Sequence, residues 1–133
     1  MHKIEHIGIA VKDLESANKV YAALLGKPHY KVETVESQGV DTSFFECGES
    51  KIELLAATRE DSPIAKFIEK RGEGMHHIAF AVDDIEAEIA RLQEEGFRLL
   101  NETPVPGADN KIIAFLHPKS SNGVLVELCQ DRN

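Results

Sequence analysis

EHIGIAV at residues 5–11 returns as HHIAFAV at residues 76–82. Each copy runs into an acidic turn, KDLESA at 12–17 and DDIEAE at 83–88, and then into a helical stretch that stops at a glycine, Gly26 or Gly96. His6 and His77 hold the same place in the two copies, 71 residues apart. Self-similarity at a fixed spacing is the signature of a duplicated structural unit.

Within each copy the apolar period is two, the period of a strand. Ile7, Ile9 and Val11 alternate with His6, Gly8 and Ala10, and Ile78, Phe80 and Val82 alternate with His77, Ala79 and Ala81. One face of each strand is large and apolar and suits a helix. The other carries a histidine and two small residues, which leaves space beside the imidazole and suits a ligand pocket. Asp13 and Asp83 are placed to cap the helices that follow. Leu14, Ala17, Tyr21 and Leu24 form one helical stripe, and Ile85, Ile89 and Leu92 the other.

Further strands are expected near 29–35, 39–47 and 51–56 in the first copy, and near 98–102, 110–117 and 123–129 in the second. Each copy therefore reads βαβββ, an α+β module. Between them, Ser62-Pro63 opens a helix that Gly72 closes, with Ile64, Phe67 and Ile68 to pack. The expected organisation is one domain over 1–133: module one at 3–56, a helical connector at 57–74, and module two at 75–130.

Composition narrows the function class. The chain has 133 residues, 15 Lys+Arg and 23 Asp+Glu, a net charge of −8 and a pI near 5.2. An acidic balance argues against a nucleic-acid backbone as partner, and no apolar run approaches the roughly 18 residues of a membrane span. The start, Met1-His2-Lys3-Ile4-Glu5-His6, has no signal-peptide pattern. Cys47 and Cys129 form no CxxC pair and read as small buried hydrophobes. Together these predict a cytoplasmic protein.

The last expected strand of each copy carries a carboxylate among apolar residues: Glu53 in KIELL at 51–55 and Glu127 in VLVELC at 124–129. A carboxylate in that setting is costly to bury unless it is paired or metal-bound. The glutamates are 74 residues apart and the histidines 71. If the modules face each other across a pseudo-twofold axis, His6, Glu53, His77 and Glu127 converge. Two imidazoles and two carboxylates suit one divalent ion such as Co, Mn, Ni or Zn, with up to two octahedral positions left for water or substrate. Taken one at a time, a strand histidine or glutamate is more often a satisfied structural residue; the matched repetition favours the metal. His76 is out of phase with His77 and points to the opposite face. His2 and His29 have no repeat partner. His117, in His117-Pro118-Lys119, reads as a strand terminator or a substrate contact.

HIGIAV at 6–11, DSPIAKF at 61–67, EGMHHIAFAVDDI at 73–85, AFLHPK at 114–119 and GVLVELCQ at 123–130, in that order, resemble the methylmalonyl-CoA epimerase family of the vicinal oxygen chelate superfamily. The resemblance spans about residues 3–130. It implies paired βαβββ modules forming a cupped, barrel-like mixed sheet with helices outside. It also implies a divalent metal on His6, His77, Glu127 and Glu53, an acyl-CoA thioester substrate, a homodimer, and interconversion of the two epimers of methylmalonyl-CoA. Some members carry a glutamate four residues after the glutamine of the QGV segment; here QGV is Gln38-Gly39-Val40 and that position is Thr42.

On this resemblance Glu127 is metal ligand and one acid/base. Glu53, or a water it orients, serves the opposite face, and Gln38 hydrogen-bonds substrate. Lys111 and Lys119 are the candidate cations for the CoA tail, though solvated surface lysines are the plainer reading of both. Thr103–Ala108 is expected as a loop beside the pocket or an ordinary turn. Two rivals share the scaffold. One is another enzyme, a glyoxalase-type isomerase or an extradiol Fe(II) dioxygenase; the other is a metal-free drug-binding protein.

Overall fold

A computed structural model describes residues 1–132. In chain order it contains β1 (Lys3–Ala10), α1 (Leu14–Leu25), β2 (Lys31–Val35), β3 (Val40–Cys47), β4 (Ser50–Ala57), α2 (Pro63–Arg71), β5 (Gly74–Ala81), α3 (Ile85–Glu94), β6 (Val105–Pro106), β7 (Lys111–Leu116) and β8 (Val126–Asp131). The chain is α+β and runs through βαβββ twice, with α2 between the copies. Among the described residues no helix is long and apolar enough to cross a membrane.

The chain divides into two compact units, His6–His76, and Met1–Glu5 together with the residues from His77 onward. In the first unit the strand order is β2-β3-β4-β1. β1 runs parallel to β4, and β3 is antiparallel to both β2 and β4. Directly paired residues share a face. Ile9, Val11, Phe45, Ile52, Leu54 and Ala56 turn to one side and pack against Leu14, Ala17, Tyr21 and Leu25 of α1. Ala10, Val40 and Leu55 turn to the other side and meet Ile64, Phe67 and Ile68 of α2. His6 shares that second side. Both helices have the expected ends. The Asp13 carboxylate accepts from the Ser16 amide (3.1 Å), and Gly26 closes α1 in the left-handed region at φ 79°. The Ser62 hydroxyl accepts from the Ile64 amide (3.2 Å), with Pro63 in the first turn.

The second unit repeats the plan in the order β5-β8-β7-β6. β5 and β8 are parallel, β7 and β8 antiparallel. Val82, Ala114, Leu116 and Leu128 pack with Ile85, Ile89 and Leu92 of α3. Leu128 is fully buried. Leu128→Ala is expected to destabilise the fold by about 3 kcal/mol, within the usual range for a buried leucine, whereas Val20→Ala, 61% exposed on α1, is expected to change stability by less than about 0.5 kcal/mol; urea unfolding midpoints measure both.

Residues 1–5 complete this second unit. The His2 amide donates to the Ala81 carbonyl (3.1 Å), the N-terminal ammonium lies 3.5 Å from Glu88, and Lys111 lies 4.0 Å from the buried carboxylate of Glu5.

Five local expectations are corrected. Cys47 is exposed and not buried. Leu24 is 70% exposed, and Leu25 takes its place in the stripe that packs on the sheet. The strand expected at 98–102 reduces to a single bridge, Leu99 to Leu116. The Asn101 side chain takes the Phe115 amide (2.9 Å) that a continuing ladder would need, and the short strand falls instead inside Thr103–Ala108, at Val105–Pro106. The cap of α3 is Asp84 and not Asp83: the Asp84 carboxylate accepts from the Ala87 amide (3.1 Å), while the Asp83 side chain is almost fully exposed beside His2. The last strand begins at Val126 and not at 123, because Asn122 and Gly123 both hold left-handed backbone angles.

Candidate metal-ligand pairs

In the first unit His6 stands on β1 and Glu53 on β4. The register places Glu53 directly beside Gly8, two residues past His6, with Phe44 of β3 on its other flank. A glycine offers no side chain, so the carboxylate has room to lie across it toward the imidazole. His6 Nδ1 and Glu53 Oε2 are 3.1 Å apart. The second unit reproduces this placement. Glu127 stands beside Ala79, two residues past His77, with Phe115 on its other flank, and His77 Nε2 lies 3.1 Å from Glu127 Oε1. The edge of one ring meets the face of the other between His77 and Phe115, at 87° and 5.8 Å between centroids, which limits rotation of the imidazole.

All four polar side chains are buried: His6 is 4% exposed, Glu53 4%, His77 7% and Glu127 5%. Buried carboxylates are retained where something compensates their charge. Each pair presents one borderline nitrogen donor and one hard oxygen donor, the donor types that divalent Mn, Co, Ni and Zn accept. Each pair is therefore a possible ligand group.

The other candidates are placed differently. Gln38 is exposed in a 3-10 turn, Glu36–Gln38, ahead of β3. Val40 is already four residues from Phe44, the neighbour of Glu53, which is about 13 Å at ~3.3 Å per residue. Gln38 therefore stands well along the strand from Glu53. Its turn is fixed by Arg59, whose guanidinium donates to the carbonyls of Glu36 (2.7 Å) and Ser37 (3.3 Å). A Cβ on Gly39 would come within 2.8 Å of that guanidinium.

Lys111 lies opposite Asp131, four residues past Glu127. Its ammonium is ion-paired with Asp131 and faces Glu5 as well. It lines a polar cavity of about 300 Å³ with His2, Glu5, Asp83, Cys129 and Asp131. Two carboxylates already compensate it, so it is a poor counter-charge for a phosphate. Lys119 is exposed on a 3-10 turn at Pro118–Ser121. His117 caps that turn, its Nδ1 accepting from the Lys119 amide (3.1 Å); of its two readings, the terminator is the one with a visible contact. His76 sets its ring on Phe67, centroids 4.9 Å apart. Thr42 is buried opposite Leu55 on the His6 side of the sheet. Asp41 faces away and accepts a hydrogen bond from Thr34 Oγ1 (2.6 Å).

Two features of the pairs are additional to the sequence reading. Phe44 and Phe115 flank the two carboxylates; their 71-residue spacing, the same as that of the histidines, was the available signal. Cys129, read as a plain hydrophobe, directs its thiol to Glu127.

Residues 5–115 match the family model described as the Glyoxalase/Bleomycin resistance protein/Dioxygenase superfamily. The ethylmalonyl-CoA/methylmalonyl-CoA epimerase of Cereibacter sphaeroides is 44% identical over 130 residues, covering 96% of this chain and 97% of that one. The crystal structure of methylmalonyl-CoA epimerase from Mycobacterium tuberculosis superposes with a TM-score of 0.92 at 38% identity, over 98% of this chain and 88% of that one. A methylmalonyl-CoA epimerase solved in complex with methylmalonyl-CoA and NH4+ gives 0.90 at 39% identity, over 97% and 94%. With full-length identity near two residues in five and one backbone plan, the chain belongs to the methylmalonyl-CoA epimerase family of the glyoxalase, bleomycin resistance protein and dioxygenase superfamily.

Proposed function

We propose that this chain interconverts the two epimers of methylmalonyl-CoA by removing and returning the proton on the carbon between the carboxylate and the thioester, and that His6, Glu53, His77 and Glu127 together hold one divalent ion there. The observation that carries the reading is the repeated buried pair. Each unit places one imidazole and one carboxylate 3.1 Å apart, at equivalent register positions and beside a glycine or an alanine. Chance burial of charge does not repeat itself in this way. The solved relative with methylmalonyl-CoA bound and the relative named for both ethylmalonyl- and methylmalonyl-CoA support the substrate class.

The ion, when bound, supplies Lewis-acid stabilisation of the negative charge that develops on the thioester oxygen as the α-proton leaves. The chain's own groups do the rest. Glu127 accepts the proton on one face of the planar carbon, and Glu53 or a water it orients delivers one on the other. Carboxylates from two modules suit a reaction that needs both faces. Thr42, where some relatives carry a glutamate, has a hydroxyl that cannot serve as a base at neutral pH, so the second face depends on Glu53. Gln38 hydrogen-bonds the substrate, and Lys119 is the remaining candidate cation for the CoA tail. A homodimer and a cytoplasmic setting belong to the same reading.

Deuterium incorporation at the α-carbon of methylmalonyl-CoA tests it. Exchange is expected with purified protein, its loss on treatment with a chelator, and its return with added Co(II) or Mn(II). Exchange that survives full metal removal contradicts the role of the ion. Oxygen uptake with a catechol and no α-exchange transfers the protein to the dioxygenases of the same superfamily.

A further inference from the structure

We infer that Cys129 is a positioning residue for Glu127: its thiol occupies one carboxylate oxygen and so turns the other toward the imidazole and the ion. The inference rests on the proposed metal site. Glu127 divides its two oxygens, with Oε1 3.1 Å from His77 Nε2 and Oε2 2.9 Å from the Cys129 sulfur. The contact follows from the strand. Cys129 is two residues past Glu127, on the same face of β8, and stands beside Ala81, which is too small to hold the two side chains apart. Both are buried, Cys129 at 2% and Glu127 at 5% exposure, so the thiol donor is shielded from competing water.

The duplication supplies an internal control. The residue two past Glu53 is Leu55, buried at 6% exposure, which cannot donate a hydrogen bond. Two carboxylates that look equivalent in the repeat therefore have different neighbours two residues on. Glu127 has a donor on the carboxylate oxygen turned away from its histidine, supplied by the residue two further on; Glu53 receives none from that position. Hydrogen bonds that orient a ligating group typically change metal affinity by about 10- to 100-fold when removed.

Cobalt(II) titration of metal-free full-length protein tests the assignment, followed by calorimetry and by the visible absorption of the bound ion. Cys129→Ala is expected to weaken Co(II) binding about tenfold or more and to alter the visible bands, with a cooperative unfolding transition retained. Cys129→Ser, which keeps a donor at that place, is expected to recover affinity to within about threefold. Three results overturn the inference: Cys129→Ala binding Co(II) as wild type does with an unchanged spectrum, Cys129→Ser behaving like Cys129→Ala, or an intense thiolate-to-cobalt charge-transfer band in wild type that Cys129→Ala removes. The last would make the sulfur a ligand itself. Failure of the wild-type protein to bind any divalent ion would instead defeat the underlying metal reading, and this inference with it.

Discussion

Alanine in place of His77, or of His6, is expected to remove the divalent ion and α-proton exchange together. Each imidazole is one of the two nitrogen donors in the proposed set, and each sits in a buried pair from which an alanine removes the histidine partner. Losing the ion forfeits several kcal/mol of stabilisation on the developing oxygen charge. A loss of ~4 kcal/mol corresponds to about a thousandfold in rate. Elemental analysis of the purified variants and the exchange assay, run on the same samples, check the two losses jointly. A His77→Ala protein that keeps stoichiometric metal and wild-type exchange would remove His77 from the site.

Glu127→Gln separates ligation from proton transfer. Glutamine preserves size, shape and one oxygen donor, so metal in excess can restore occupancy. It cannot accept a proton from carbon. Exchange is expected to fall about 100- to 10,000-fold at saturating metal, the usual weight of a general base. Glu53→Gln is the informative comparison: proton transfer on the second face then depends on a water, and epimerisation is expected to suffer more than exchange from the first face. Wild-type-like exchange in Glu127→Gln would assign proton removal to another group.

Much of this architecture was legible because the chain states it twice. The alternation in HIGIAV and HHIAFAV located both first strands and both histidines, and the pairs His6–Glu53 and His77–Glu127 followed from small residues on one face and carboxylates among apolar neighbours. The misplaced helix cap shows the same principle neglected. Asp13 recurs 71 residues later as Asp84, not Asp83, so the repeat named the right residue where local composition named its neighbour. Residues 98–102 were harder. Their apolar pattern is that of a strand, and Leu99 does bridge Leu116, but one side-chain amide, Asn101, ends the ladder by supplying its own hydrogen bond. Side-chain competition for a backbone group is a tertiary event, invisible to periodicity. The same holds for Lys111: a lysine at a strand end looks like a free cation until folding brings Glu5 and Asp131 to it.

Residues 1–5 fold into the unit built from His77 onward, while the remainder of their own strand, from His6, belongs to the other unit. A cut at the repeat boundary would leave residues 1–5 on one fragment and the unit they pack in on the other. A fragment that begins at His77 would therefore lose the His2 contact to Ala81 and the Glu5 carboxylate that faces Lys111.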